Sequence, residues 1–219
     1  MYLARLHAQF VPAFYANSVS IRITWPAEGI AQLTIDRDEK RNALSSSLLN
    51  SLISAFQHTL TSHPSAIVLT GAGSCFSAGA DLSEGNPEDI YPALVKLIDL
   101  IRTTPIAVIA YVNGPAIGAG AMLAAACDIR VVSSSSFFAI PVARMGVKVD
   151  RQLAESMTAL LGGSRSRMLL MTGARLSCAD AVSCGFAAVE GDVEAAVEVA
   201  RVCAFGDPET IASIKESFA

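Results

Sequence analysis

The chain predicts an α/β fold with a parallel, layered core, and three observations carry that expectation. Short, uniformly apolar stretches at 66–69, 107–112 and 129–132 read as strands buried on both faces. Around them, apolar residues recur at helical spacing. A length of 219 residues suits one domain with a sizeable core, and 52% of the residues are apolar against 16% charged.

The elements follow in order. Residues 20–25 and 30–35 alternate or run apolar around Pro26-Ala27-Glu28-Gly29, which predicts a β-hairpin. Leu48, Leu49, Leu52, Ile53, Phe56 and Leu60 lie on one face of a helix at 48–60. The strand at 66–69 ends at Thr70-Gly71-Ala72-Gly73, and a second amphipathic helix spans 90–101. The strand at 107–112 enters a glycine-rich turn, and another strand lies at 129–132. Helices are expected at about 151–161, 166–171, 178–183 and 193–203, punctuated by Gly162-Gly163 and Gly173.

Composition removes several classes of function. A net charge of −4 and the lack of a basic stripe argue against nucleic-acid binding. Cys75, Cys127, Cys178, Cys184 and Cys203 are odd in number and lack CxxC spacing, which fits reduced thiols in a cytoplasmic protein. No zinc site is expected, because His7, His58 and His63 do not pair with cysteines at ligand spacing. Residues 107–126 carry no charge, but Asn113-Gly114-Pro115 interrupts them, so two short buried elements explain the run better than a membrane span. The N-terminal apolar stretch is short and broken by Pro12, a poor signal peptide.

The glycine-rich turn is where chemistry is expected. Gly118-Ala119-Gly120 opens a helix whose first N–H groups have no partner in the helix, and the helix dipole adds partial positive charge there. Small residues let a ligand oxygen approach closely. A second donor from Ala78-Gly79-Ala80 would complete a two-donor oxyanion hole. Glycine-rich strand-to-helix turns are also common in α/β proteins for structural reasons alone.

Three segments taken together resemble the enoyl-CoA hydratase/isomerase (crotonase) family. They are Lys40-Arg41-Asn42-Ala43-Leu44, Phe76-Ser77-Ala78-Gly79-Ala80-Asp81-Leu82, and the stretch from Asn113 to Ala124. Cys127-Asp128-Ile129, Phe138-Ala139-Ile140-Pro141 and residues 176–185 fall in family order, and the resemblance runs from about Ser20 to Ala219. It implies a ββα spiral core with a C-terminal helical region that stops short of the family's usual length. Residues 1–19 then form an N-terminal extension, 20–190 the acyl-CoA-binding core, and 191–219 the start of the helical region.

The resemblance also implies a site. The oxyanion donors would be the backbone amides of Ala80 and Ala119, and the contacts to coenzyme A and acyl group would involve Arg41, Ala43, Ala78, Asp81, Leu82 and Gly118. The family's hydratases use two glutamates, and ungapped placement of the motifs puts Met122 and Val142 at those positions. Neither side chain can give or take a proton, so efficient hydration is expected to be lost. Met122, Val142 and Phe138 would instead make the acyl end of the pocket apolar, or simply fill the core. Asp150 matches an aspartate of the family's dienoyl-CoA isomerases, and it is equally a good N-cap for the helix that follows.

The expected ligand is an acyl-CoA or enoyl-CoA thioester, coenzyme A entering as part of the substrate with no separate cofactor and no metal. Arg41, Lys148 and Arg151 are nominated for the phosphates. A homotrimer or hexamer is expected, and a protein partner in lipid metabolism is a further option. Binding without hydration and isomerase chemistry through Asp150 both stay open.

Overall fold

Continuous apolar runs give a strand two buried faces, and the two faces of the main sheet bury against different helices. The computed structural model describes residues 20–149 and 151–218. Strands β1 (Ile21–Ala27), β2 (Ile30–Ile35), β3 (Ala66–Gly71), β4 (Ala107–Val112), β6 (Ile129–Val132) and β9 (Val189–Glu190) form a six-stranded sheet in that order. The β1–β2 hairpin is antiparallel, and every later pairing is parallel. Leu33, Ile35, Ile67, Leu69, Val108 and Ala110 pack toward α1 (Ser46–Leu60) and α2 (Tyr91–Thr103). Ile30, Ala66, Val68, Ile109 and Val131 pack on Ala196, Val197 and Ala200 of α8 (Val193–Ala204).

The hairpin is longer than the sequence suggested. β1 runs through Pro26 to Ala27 and turns on Glu28-Gly29, with a bulge between Thr24 and Ala27. Proline is tolerated there because β1 is the edge strand and its missing N–H breaks no inner ladder. Ser45 caps α1 by accepting the Leu48 N–H at 3.3 Å.

The uncharged run at 107–126 is broken near Asn113-Gly114-Pro115 as expected, but into three elements rather than two: β4, the two-residue strand β5 (Ala116–Ile117) and α3 (Ala119–Ala126). All eight residues of α3 are buried, so this helix needs no polar face. No helix among the described residues is long and apolar enough to cross a membrane.

β5 joins β7 (Phe137–Ala139) and β8 (Leu176–Ser177) in a second, three-stranded sheet. These pieces, β9 and α4 (Val142–Met145) were not foreseen, being too short to show periodicity. α5 (Arg151–Leu161) and α7 (Cys178–Ser183) lie where expected, and α6 (Gly163–Thr172) begins earlier than predicted. The chain closes with α9 (Pro208–Phe218).

Arg130 ties the layers together at the end of α3. Its guanidinium donates to the carbonyls of Cys127, at 2.7 Å, and of Phe186, and sits 4.9 Å from the Phe186 ring centroid. The Cys127 carbonyl at the end of α3 thus finds a buried cation.

Candidate functional site

Two loops and the start of α3 meet at one place, and backbone hydrogen bonds do the joining. The Leu44 N–H donates to the Gly79 carbonyl at 2.7 Å, and the Asp81 N–H donates to the Leu44 carbonyl at 2.9 Å. The Ala78 N–H donates to the Arg41 carbonyl at 2.9 Å. The Ile117 N–H donates to the Ser77 carbonyl at 2.9 Å, pairing this turn with the strand that leads into α3.

Two amides are left out of this network. Neither the Ala80 N–H nor the Ala119 N–H donates to another described residue. Gly79 brings them close: a Cβ added to it would stand 2.6 Å from the Ile117 carbonyl oxygen and 3.6 Å from the Ala119 nitrogen. Gly118 sits at φ 53° and ψ −119°, a region that suits glycine, and so turns the chain sharply into α3. Its carbonyl accepts the Met122 N–H at 3.1 Å. Since the Gly118 carbonyl and the Ala119 N–H belong to one planar peptide, that bond points the Ala119 N–H back out of the helix start. Two free donors beside a helix N-terminus are suited to hold an oxygen that gains negative charge.

The loop before α1 is held by a residue that the sequence reading did not single out. Asn42 is fully buried, accepts the Arg37 N–H at 3.0 Å, and donates to the carbonyls of Ala72 at 2.9 Å and Cys75 at 2.6 Å. Arg41 and Asn42 both have positive φ, 52° and 54°. Asparagine tolerates that conformation, which was the available signal. Ser77 adds a further tie, its hydroxyl donating to the Asn42 carbonyl at 2.8 Å.

Asp81, expected to contact the ligand, has its side chain engaged within the protein. Its Oδ2 accepts from Arg37 at 2.8 Å and Lys40 at 3.0 Å, and its Oδ1 accepts from the Ser83 N–H at 3.0 Å and hydroxyl at 2.6 Å. Those hydrogen bonds, the Ser83 hydroxyl foremost and then Lys40, hold the carboxyl well below the usual carboxylate range. Four donors fill the acceptor sites of one carboxylate. The Arg37 and Lys40 partnership was invisible in sequence because the residues lie some forty positions apart.

The remaining nominated residues separate into two groups. Ala43 is buried beside Leu44, while Arg41 and Leu82 are exposed at the surface. Met122 lies one turn into α3 and lines a cavity of about 40 Å³ between α2, α3 and α5, with Val95, Ile98, Leu153 and Met157. Val142 is buried at the start of α4, and Phe138 is 1% exposed, packed edge-on against Phe186 at 4.8 Å. Neither of these two borders that cavity. Lys148 and Arg151 are exposed. Asp150 lies outside the described residues. Among the described residues, no group of three or more histidine, cysteine, aspartate or glutamate side chains is placed to hold a metal ion.

A mainly parallel α/β sheet packed between helices defines a broad class of protein, and comparison places the chain within one family of it. A sequence model of the enoyl-CoA hydratase/isomerase family matches residues 26–219, and the chain belongs to that family. It is 38% identical over 181 residues to the probable enoyl-CoA hydratase echA6 of Mycobacterium bovis, covering 80% of this chain and 74% of the relative. The crystal structure of enoyl-CoA hydratase from Thermoplasma volcanium superposes with a TM-score of 0.83 at 25% identity, covering 92% of this chain and 84% of that one. An enoyl-CoA hydratase from Polaromonas gives 0.81 at 30% identity, over 90% and 81% of the two chains.

Proposed function

We propose that this protein binds acyl-CoA or enoyl-CoA thioesters through the amides of Ala80 and Ala119 and hydrates them poorly or not at all. The observation that carries the reading is the pair of unpartnered amides brought together by Gly79. Membership of the enoyl-CoA hydratase/isomerase family supports a thioester as the oxygen-bearing ligand. The thioester carbonyl would sit between the two N–H groups, which favour the enolate form in which that oxygen is negative. The cavity beside Met122 supports a place for the acyl group, with apolar contacts from Val95, Ile98 and Met157.

Hydration needs one group to activate water and another to protonate the α-carbon, each contributing roughly 10²–10⁴ in rate. Met122 and Val142, buried where family placement puts those acids, offer neither. An isomerase relying on Asp150 is the alternative, and one experiment separates the two. Stoichiometric protein is incubated with crotonyl-, dienoyl- and saturated acyl-CoAs in deuterated water and the thioesters are weighed by mass spectrometry. Retention without deuterium or added water supports binding alone, and deuterium without water supports isomerase chemistry. Rapid gain of water overturns the reading.

We also propose self-association, supported by Phe205 at the end of α8 and Phe218 on α9, each 89% exposed. Sedimentation at a single monomer mass at micromolar concentration would refute it.

A further inference from the structure

The direction in which the Ala80 N–H points is set by its own peptide plane. That plane also contains the Gly79 carbonyl, which accepts from Leu44 at 2.7 Å, so the Ala80 N–H faces away from Leu44. Whatever holds residues 43–44 against 79–81 therefore aims the amide. Two short backbone bonds at a loop crossing leave that alignment open to slip, and the side chains around them supply more.

Arg37 spans the crossing. Its Nη1 donates to the Ala43 carbonyl at 3.2 Å on one side and to Asp81 Oδ2 at 2.8 Å on the other. Its Nη2 donates to Glu84 Oε1 at 2.7 Å, past the end of the turn. The Arg37 backbone N–H is held by Asn42 at 3.0 Å, so the side chain starts from a fixed point. Lys40 adds a second cation at Asp81 and also donates to Ser83 at 3.0 Å. The Asp81 and Arg37 side chains are 6% and 15% exposed, so this contact is little screened by solvent. A planar guanidinium with several fixed donors can bridge three acceptors at once, which a single ammonium cannot do in the same geometry.

We propose that Arg37 is the positioning residue for the Ala80 amide, clamping the 43–44 segment to the 79–81 turn through Ala43, Asp81 and Glu84. This rests on the reading of Ala80 and Ala119 as the donors to the thioester oxygen. Arg37 touches no reacting atom; it acts through the peptide that it aligns.

The test reads carbonyl polarisation directly. A chromophoric thioester, 4-(dimethylamino)cinnamoyl-CoA, absorbs at longer wavelength when its carbonyl oxygen is polarised. It is added at saturation to the wild type and to R37M, R37K and R22M. The last breaks an exposed ion pair, Arg22 to Asp36 at 3.1 Å, away from the crossing. The wild type and R22M should show the same red shift. R37M, still folding cooperatively, should bind about tenfold more weakly, the scale of losing the one aligned hydrogen bond from the Ala80 amide to a charged oxygen, and its bound probe should show a diminished shift. R37K keeps the charge without the fork and should fall between. A full shift in R37M overturns the proposal, and if R37M does not fold, a full shift in R37K does so. A wild-type protein that binds the probe without any shift overturns the oxyanion reading instead, and the role of Arg37 falls with it.

Discussion

The space that a side chain would occupy on Gly79 is already taken by the Ile117 carbonyl oxygen, 2.6 Å from the position of a Cβ. Gly79 also has φ of +88°, which alanine adopts only with strain. Gly79→Ala is expected to cost about 1–3 kcal/mol in stability from these two effects. Ile117 leads directly into Gly118 and Ala119, so relief of the clash must move the two amides apart. Thioester binding, measured by isothermal calorimetry, should weaken beyond what the stability loss explains. Unchanged affinity would show that the amides are not the binding groups.

Met122 tests the acyl pocket. It is buried but already borders a small cavity, so Met122→Ala removes fewer packing contacts than usual and should fall in the lower half of the about 2–5 kcal/mol range for such truncations. The enlarged space should raise affinity for longer acyl chains relative to crotonyl-CoA. A second variant addresses the chemistry. If Met122 and Val142 stand where acids are needed, Met122→Glu with Val142→Glu should raise crotonyl-CoA hydration by about 10² or more over the wild type, followed by loss of the conjugated absorbance. No gain in a folded double variant would count against that placement.

The main-sheet strands β1, β2, β3, β4 and β6 and the helices α1, α2, α5, α7 and α8 were legible because each is long or uniform enough for its apolar pattern to show, whereas the two-residue β9 was not. The short strands β5, β7 and β8 were not, since two or three residues carry no period and form only by pairing with one another. At the site, Gly79, Ala80, Gly118 and Ala119 were legible because close backbone approach demands small residues in a recognisable order. Arg37, Lys40 and Asn42 were not, because their roles depend on partners such as Asp81 and Cys75, which only the tertiary fold brings near. For Phe138 the sequence left pocket lining and core packing open, and in the fold its ring packs edge-on against Phe186.

Asp81 gives the stability a pH dependence of known sign. Its folded value lies below the unfolded one, so it stabilises the fold fully above about pH 3.9, the ordinary aspartate value. That contribution is lost as pH falls from there toward the folded value. Asp81→Asn should therefore cost about 1–3 kcal/mol at neutral pH, the scale of losing charge-assisted hydrogen bonds. The gap between the variant and the wild type in urea unfolding should stay constant from pH 7 to pH 5 and narrow below pH 4. A gap that widens in acid would contradict the ion-pair network.

The buried thiols should be inert in the folded state. Burial pushes the Cys127 thiol up to about 12, and burial raises Cys75 and Cys178 as well. Thiolate is the reactive form, and burial raises Cys203 too, so native-state alkylation at pH 8 should leave Cys127, Cys75 and Cys178 unlabelled long after the partly exposed Cys184 has begun to react. Peptide mass spectrometry reads the order. Rapid labelling of Cys127 without unfolding would contradict its burial at the end of α3.

A buried cation pins α9, which also packs on α2 through its half-buried face. Lys215 on α9 is 7% exposed and donates to the Ile106 carbonyl at 2.9 Å and to Asp128 Oδ2 at 2.8 Å. The same Asp128 oxygen accepts the Val108 N–H at 2.7 Å, so Lys215 reaches the start of β4 through two routes. The neighbouring apolar residues of α9, Ile214 and Phe218, face solvent and add little grip. Lys215→Met keeps most of the buried stem but leaves the Ile106 carbonyl without this donor and Asp128 without its counter-charge. The expected cost is about 1–3 kcal/mol, concentrated on α9. Limited proteolysis should then cut between α8 and α9, near Gly206 and Asp207, while the sheet stays protected. Cleavage at the wild-type rate, with unchanged denaturant stability, would show that α9 is retained by contacts other than Lys215.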